Sequence, residues 1–200
     1  MAQDSNQSES ALEPDSSDAD VNDAREVDTP DGNIIEITTA KSVWPSTVVD
    51  EFATFAARSS DFIQDFFDLP AFSVSILLDS DARIRQINRD FRNQDKTTNV
   101  LSFPASMDDV DEDEDELLFL GDIAIAFETV DCEAKASDID FKDHLAHLFV
   151  HGVMHLLGYD HESSAEADEM EALEIAILGA FSIANPYADS IPVTSTTDGG

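Results

Sequence analysis

Five histidines fall between His144 and His161, in the stretch HLAHLFVHGVMHLLGYDH, and the chain has no others. The last three, His151, His155 and His161, follow the spacing H-x3-H-x5-H. On a helix, residues four apart differ by roughly 400°, so His151 and His155 project from one face a turn apart. His161 lies beyond Gly158, and a glycine after a helix lets the chain reverse and return a third ring. Three imidazoles can hold a zinc-like ion at roughly 2.0–2.1 Å and leave a fourth position open, which is how a catalytic site differs from a closed structural one. A lone histidine would more simply be hydrogen-bonded in a core or exposed; three at this spacing point to a metal. His144 and His147 lie on nearly the same face, where either could ligate or support a ligand from behind. His147, one turn before His151, is the better support, and His144 near the helix start is expected to be solvated.

Zinc proteases on such a helix place a glutamate directly after the first ligand, in H-E-x-x-H, to take a proton from water. Here that position is Gly152. Asp160 and Glu162 flank His161, but turn-making and solvation are their expected work. The chemistry would then depend on the metal's acidifying water or polarising a substrate oxygen. A second cluster suggests which substrate. Arg83, Arg85, Arg89, Arg92 and Lys96 are half of the chain's ten basic residues, and with Asp90 and Asp95 they leave that segment at +3 in a molecule of −34. A cationic patch against such a background fits an anionic substrate, and the planar fork of arginine suits phosphate. Arg85, Arg89 and Arg92 share a helix face; Arg83 and Arg85 read equally well as solvated surface.

The elements that must position these groups are legible in outline. Residues 1–33 carry ten acids, one arginine and almost no large apolar side chain, so they are expected to form a disordered tail. The domain should span 34–187, with 188–200 a flexible tail. Strands are expected over 34–38, 72–78, 99–103 (halted by Pro104) and 123–127, and helices from Pro45 to Phe67 (its last part, from Asp61, a separate piece), after Ser80 or Asp81, over 140–158 and over 165–181. The helix after Ser80 would bury Ile84, Ile87 and Phe91, and the last one Met170, Leu173, Ile177 and Phe181. Eight acids in the nine residues from Asp108 to Glu116 read as a solvated loop. The resulting fold is a single α+β domain with a small mixed sheet of about four strands covered by helices.

The single cysteine, Cys132, excludes an internal disulfide and a cysteine-based zinc knuckle, and is expected to be a half-buried apolar residue. No run of about eighteen apolar residues exists and the N-terminus is acidic and polar, so no membrane span or signal peptide is expected. The charge of −34 repels nucleic acid at long range, although salt screens exposed charges beyond about 8 Å.

HGVMHLLGYDHE (151–162), NRDFRNQDKTTNVLSFP (88–104), LGDIAIAFETV (120–130) and DEMEALE (168–174) together resemble, in the same order, the YbeY family of bacterial endoribonucleases, the rRNA maturation factors. The resemblance spans roughly residues 34–187. It implies a zinc-dependent, single-strand-specific endoribonuclease of the cytoplasm on a compact α+β fold, acting in 16S rRNA 3′-end maturation and ribosome quality control. It further implies one Zn2+ ion per chain on His151, His155 and His161, a functional Arg92, and RNA and small-subunit components of the ribosome as partners. Arg89 and Lys96 are the accompanying candidates for substrate binding. Asn93, Gln94 and Thr97 stand where relatives often have glycine, lysine and proline, which leaves the shape of that turn open. Two other readings compete: a zinc protease, disfavoured by Gly152, and a non-catalytic ribosome-assembly factor whose metal pins the C-terminal helices.

Overall fold

The computed structural model describes residues 22–105, 117–161 and 163–188. The acidic run at 108–116 and the greater part of both expected tails lie outside them.

The described chain begins with a strand. β1 (Asn22–Asp28) pairs antiparallel with β2 (Ile34–Ala40), so residues 22–33, expected as part of a disordered tail, belong to the fold. Its charged residues are compatible with pairing because β1 is an edge strand, and charge outside the core is what edges carry. Arg25, for instance, reaches Asp50 at 2.5 Å. The hairpin turn is fastened by Asn33, which is fully buried. Its side-chain amide donates to Asp61 and Gln64, and its Oδ1 accepts from the backbone N–H of Phe72.

The sheet therefore has five strands, in the order β1-β2-β3-β5-β4. β2, β3 (Phe72–Asp79) and β5 (Leu118–Ala126) are parallel, while β4 (Val100–Pro104) closes the far edge antiparallel to β5. Parallel neighbours need crossovers. α1 (Ser46–Phe67) supplies the first, as one continuous helix rather than a helix and a separate piece; Pro45 stands at its N-cap and Asp68, with φ 53°, ends it. α2 (Asp81–Arg92) follows β3, with the Ser80 side chain accepting from Arg83 N–H as its cap.

The two faces of the sheet are covered unequally. On one, Ile35, Ile37, Val74, Ile76, Ile123 and Ile125 meet α1 and α4 (Phe141–Leu156), with Phe52 and Phe149 packed edge to face. On the other, α2 sits over a smaller cluster of Ile84, Leu101, Ala124 and Ala126. Phe91, expected in the buried stripe of α2, is instead 74% exposed, at a groove that it shares with Phe103 on this less covered face of the sheet. α3 (Phe127–Ala136) begins without a loop where β5 ends, and buries Val130 and Ala134. This helix was not expected, since an extended pattern runs into it without a turn signal. Cys132 lies on its outer side and is exposed rather than half-buried. α5 (Ser164–Ala180) opens with a capping box between Ser163 and Glu166. Among the described residues no helix is long and apolar enough to cross a membrane.

Gly152 sets how closely α4 lies on the sheet. A Cβ there would stand 2.9 Å from Ile123 Cδ1 and 3.2 Å from Ser102 Oγ, and Ile123 is fully buried with nowhere to retreat. Gly152→Ala should destabilise the protein by about 1–3 kcal/mol, the usual cost of overpacking; an unchanged denaturant midpoint would show that the contact yields without strain.

Candidate active site

α4 starts at Asp140, whose side chain accepts from Lys142 N–H at 2.8 Å, and carries four of the five histidines. It stops at Leu156, and Gly158, with φ 90°, turns the chain back. The backbone N–H of Tyr159 then donates to Met154 O at 3.0 Å. The reversal returns His161 to the helix: its ring lies 5.6 Å from that of His151 and 5.1 Å from that of His155, which are themselves 4.6 Å apart. One ring nitrogen from each of the three comes within 4.8 Å of the others. The sequence spacing and the fold thus converge on one constellation.

Hydrogen bonds behind two of the rings decide what they present in front. His151 Nδ1 lies 2.8 Å from Glu174 Oε1, and His155 Nδ1 lies 3.0 Å from the Tyr159 carbonyl oxygen. Both partners are acceptors, so each Nδ1 must carry the proton, which leaves each neutral ring a bare lone pair at Nε2. Those two Nε2 atoms face each other at 3.1 Å. Two lone pairs cannot hydrogen-bond one another, but ligands about 2.05 Å from a tetrahedral ion lie roughly 3.3 Å apart, and the donor set fits zinc on that ground. Burial, and then the neighbouring His151, hold the His155 pKa below its ordinary value, which favours the neutral form that a metal needs.

Glu174, on α5, anchors this arrangement. It is fully buried and accepts from three donors: His151 Nδ1, His147 Nε2 at 3.0 Å and the Tyr187 hydroxyl. Burial pushes its carboxyl up, but the bonds from His147, His151 and Tyr187 outweigh it and hold the pKa at about 2. The same burial, with the carboxylate beside it, drives the Tyr187 phenol above its ordinary range. His147, His151 and Glu174 form a second group close enough to hold an ion; there, however, both histidine nitrogens are occupied as donors to the carboxylate. His144 is not solvated as expected: its side chain is 12% exposed and its Nε2 lies 2.8 Å from Glu133. The place of Glu174 is not read from the sequence, though a signal exists, since a carboxylate stands between Met170 and Ile177 on the buried stripe of α5.

The three rings open onto a cleft of about 550 Å³ that Arg92, Asn99, Ser102 and Asp160 also line. Arg92 Nη2 donates to Ser102 O at 2.7 Å, and its guanidinium carbon sits 5.3 Å from the centre of the Phe103 ring. The other members of the basic cluster lie elsewhere. Arg89 pairs with Asp90 at 3.0 Å, and neither Arg89 nor Lys96 lines the cleft. Arg85 forms two bonds with Asp95, at 2.7 and 3.1 Å. That pair, the Asn88 side chain donating to Lys96 O, and Asn93 in the left-handed region give the 93–97 turn its shape. Asp160 makes a turn as expected, accepting from His161 N–H. No carboxylate could follow His151, because the Gly152 position is filled by Ile123 and Ser102.

A protein-family model described as Endoribonuclease YbeY matches residues 38–182. Among curated proteins of that name, one from Rhodospirillum rubrum is 56% identical over 120 residues, covering 58% of this chain and 59% of the relative. One from Agrobacterium fabrum is 41% identical over 168 residues, covering 80% of this chain and 97% of the relative. A third, from Sphingopyxis alaskensis, is 40% identical over 167 residues, covering 76% and 96%. A solution structure of TM1509 from Thermotoga maritima is 25% identical, with a TM-score of 0.48, and covers 80% of this chain and 98% of that one.

Glu174→Gln keeps the volume but removes the charge on which three donors converge. Chelator competition should show zinc affinity reduced roughly 10–100-fold, while affinity equal to that of the wild type would reduce Glu174 to a core residue. Because its folded pKa lies below the ordinary 4.5, Glu174 stabilises the fold above that pH, and the stability gap between wild type and variant should close as pH falls toward about 2.

Proposed function

The chain belongs to the YbeY family of endoribonucleases, and from that premise we propose that it cuts single-stranded RNA at a zinc centre held by His151, His155 and His161, with Arg92 as the catalytic cation. The observation that carries the reading is that Arg92 and all three ring edges line one cleft. Bound zinc would supply Lewis acidity toward water or a phosphoryl oxygen. The protein's own groups do the rest. Glu174 and the Tyr159 carbonyl hold two rings in the tautomer and orientation they need, so little reorganisation remains for the reaction. Arg92 is held by Ser102 O and the Phe103 ring. Arginine has five N–H donors, so those left over can meet a phosphate and neutralise charge that grows in the transition state. Arg89 and Lys96 would meet the RNA backbone on its approach along α2, away from the reacting phosphate.

The substrate is RNA rather than peptide on this reading, because a protease of this type needs a carboxylate where Gly152 is packed against the sheet. The family resemblance extends the proposal to 16S rRNA 3′-end maturation and ribosome quality control in the cytoplasm, with small-subunit components as partners. A non-catalytic assembly factor is the second reading. It is favoured by the Glu174 network, which ties α4, α5 and Tyr187 together behind the same rings. Chelation separates the two, because a structural metal should take the fold with it and a catalytic one should take only activity.

Arg92→Ala should lower cleavage of single-stranded RNA about 10²–10³-fold with zinc content and melting temperature unchanged, whereas His155→Ala should lose zinc. Cleavage retained by Arg92→Ala, or full zinc occupancy in His155→Ala, would remove the corresponding role.

A further inference from the structure

We propose that Phe91 and Phe103 form a stacking platform that receives a nucleobase of the single-stranded RNA, next to the phosphate held by Arg92. The proposal rests on the reading of this chain as an RNA-cutting enzyme and adds to it how a single strand is gripped.

Among the described residues Phe91 is 74% exposed, against 43–45% for the other exposed large apolar residues, Phe66, Phe119 and Ile139. It directly precedes Arg92 on α2. Its ring stands 5.7 Å from that of Phe103, at 63°, and Phe103 is also the ring beneath the Arg92 guanidinium. One aromatic side chain therefore links the exposed ring to the cation of the cleft. β4 is the edge of the sheet, and side chains alternate across it. Ser102 and Pro104 face the histidine cleft, whereas Phe103 faces a groove of about 520 Å³ on the opposite side. Arg92 spans this edge, with its Nη2 on Ser102 O and its guanidinium over Phe103.

The rest of the groove says which part of a nucleotide belongs there. Leu77, Ile87, Phe91 and Phe103 give it apolar walls, and Glu36, Asp122 and Arg83 also line it. Asp122 is the cross-strand partner of Phe103, and Ser75, beside Asp122, bonds Glu36 at 2.8 Å. Two carboxylates against one guanidinium leave the groove net negative, which favours an RNA backbone on the Arg92 side and a neutral, flat group against the Phe91 and Phe103 rings. A nucleobase has that character, and every base offers a face to stack on. A base inside a duplex has both faces already covered, so such a platform selects single strands. Phe91 and Phe103 are thus binding residues that position the strand, and neither takes part in bond making.

The test uses the full-length, zinc-loaded protein and a fluorescein-labelled single-stranded oligoribonucleotide, with a counterpart bearing abasic sites. Phe91→Ala should weaken binding by roughly tenfold, within the range for one stacked base, and raise KM more than it lowers kcat. Phe91→Tyr should restore both and Phe91→Leu should not. Wild type should bind the abasic strand only as tightly as Phe91→Ala binds the intact one. Phe91 is exposed, so its variants should fold as the wild type does, and equal melting temperatures would check this directly. If Phe91→Ala matches wild type, or if leucine substitutes as well as tyrosine, the platform is overturned; the second result would mark the groove as a protein-docking surface. A wild type that neither binds nor cuts the intact strand would instead overturn the RNA reading itself.

Discussion

Two unprotonated imidazole nitrogens 3.1 Å apart are an unfavourable arrangement unless something positive lies between them. This structure imposes that arrangement from behind: Glu174 takes the Nδ1 proton of His151 as a hydrogen bond and the Tyr159 carbonyl takes that of His155. The other features of the site serve the same constraint. Gly158 returns the chain so that His161 closes the group, Gly152 lets α4 lie close against Ile123 and Ser102, and Tyr187 and His147 supply the donors that keep a buried carboxylate charged. Removing the charge at Glu174 therefore frees the rings from their orientation and weakens the cohesion of the two C-terminal helices together.

Charge is arranged on the same logic of position rather than amount. The chain carries −34 overall, yet the residue that lines the cleft beside the rings is Arg92. Its neighbours in sequence are neutralised locally, Arg85 by Asp95 and Arg89 by Asp90. Such exposed pairs add little stability, but they shape the turn after α2 and leave Arg92 beside the three histidine rings. Of the five basic residues between 83 and 96, Arg92 is the one that lines the histidine cleft.

The sequence made the histidine constellation legible because helical periodicity and a glycine turn are local, and three rings at that spacing have few other uses. The Ser80 cap and the β3 strand were readable for the same reason. What escaped was either non-local or masked by composition. β1 looked like tail because its polar residues are those an edge strand tolerates, and only the contacts of Asn33 with α1 and β3 reveal why that segment orders. α3 was missed because it follows β5 without a break. Phe91 falls on the apolar face of α2 by periodicity, but periodicity cannot tell that this part of the sheet face is left as an open groove. Glu174 and the burial of His144 depend on which helices pack together.

The central claim is that three imidazoles, oriented from behind, hold one zinc ion and leave part of its coordination shell to non-protein ligands. X-ray absorption spectroscopy at the zinc edge of the loaded protein measures this directly. The account predicts outer-shell scattering from three imidazole rings, zinc–nitrogen distances of roughly 2.0–2.1 Å, and at least one light non-imidazole ligand, a pattern unchanged in Glu174→Asp if that acid stays outside the shell. A spectrum with fewer than three imidazoles, or with the Glu174 carboxylate bound to zinc, would contradict it.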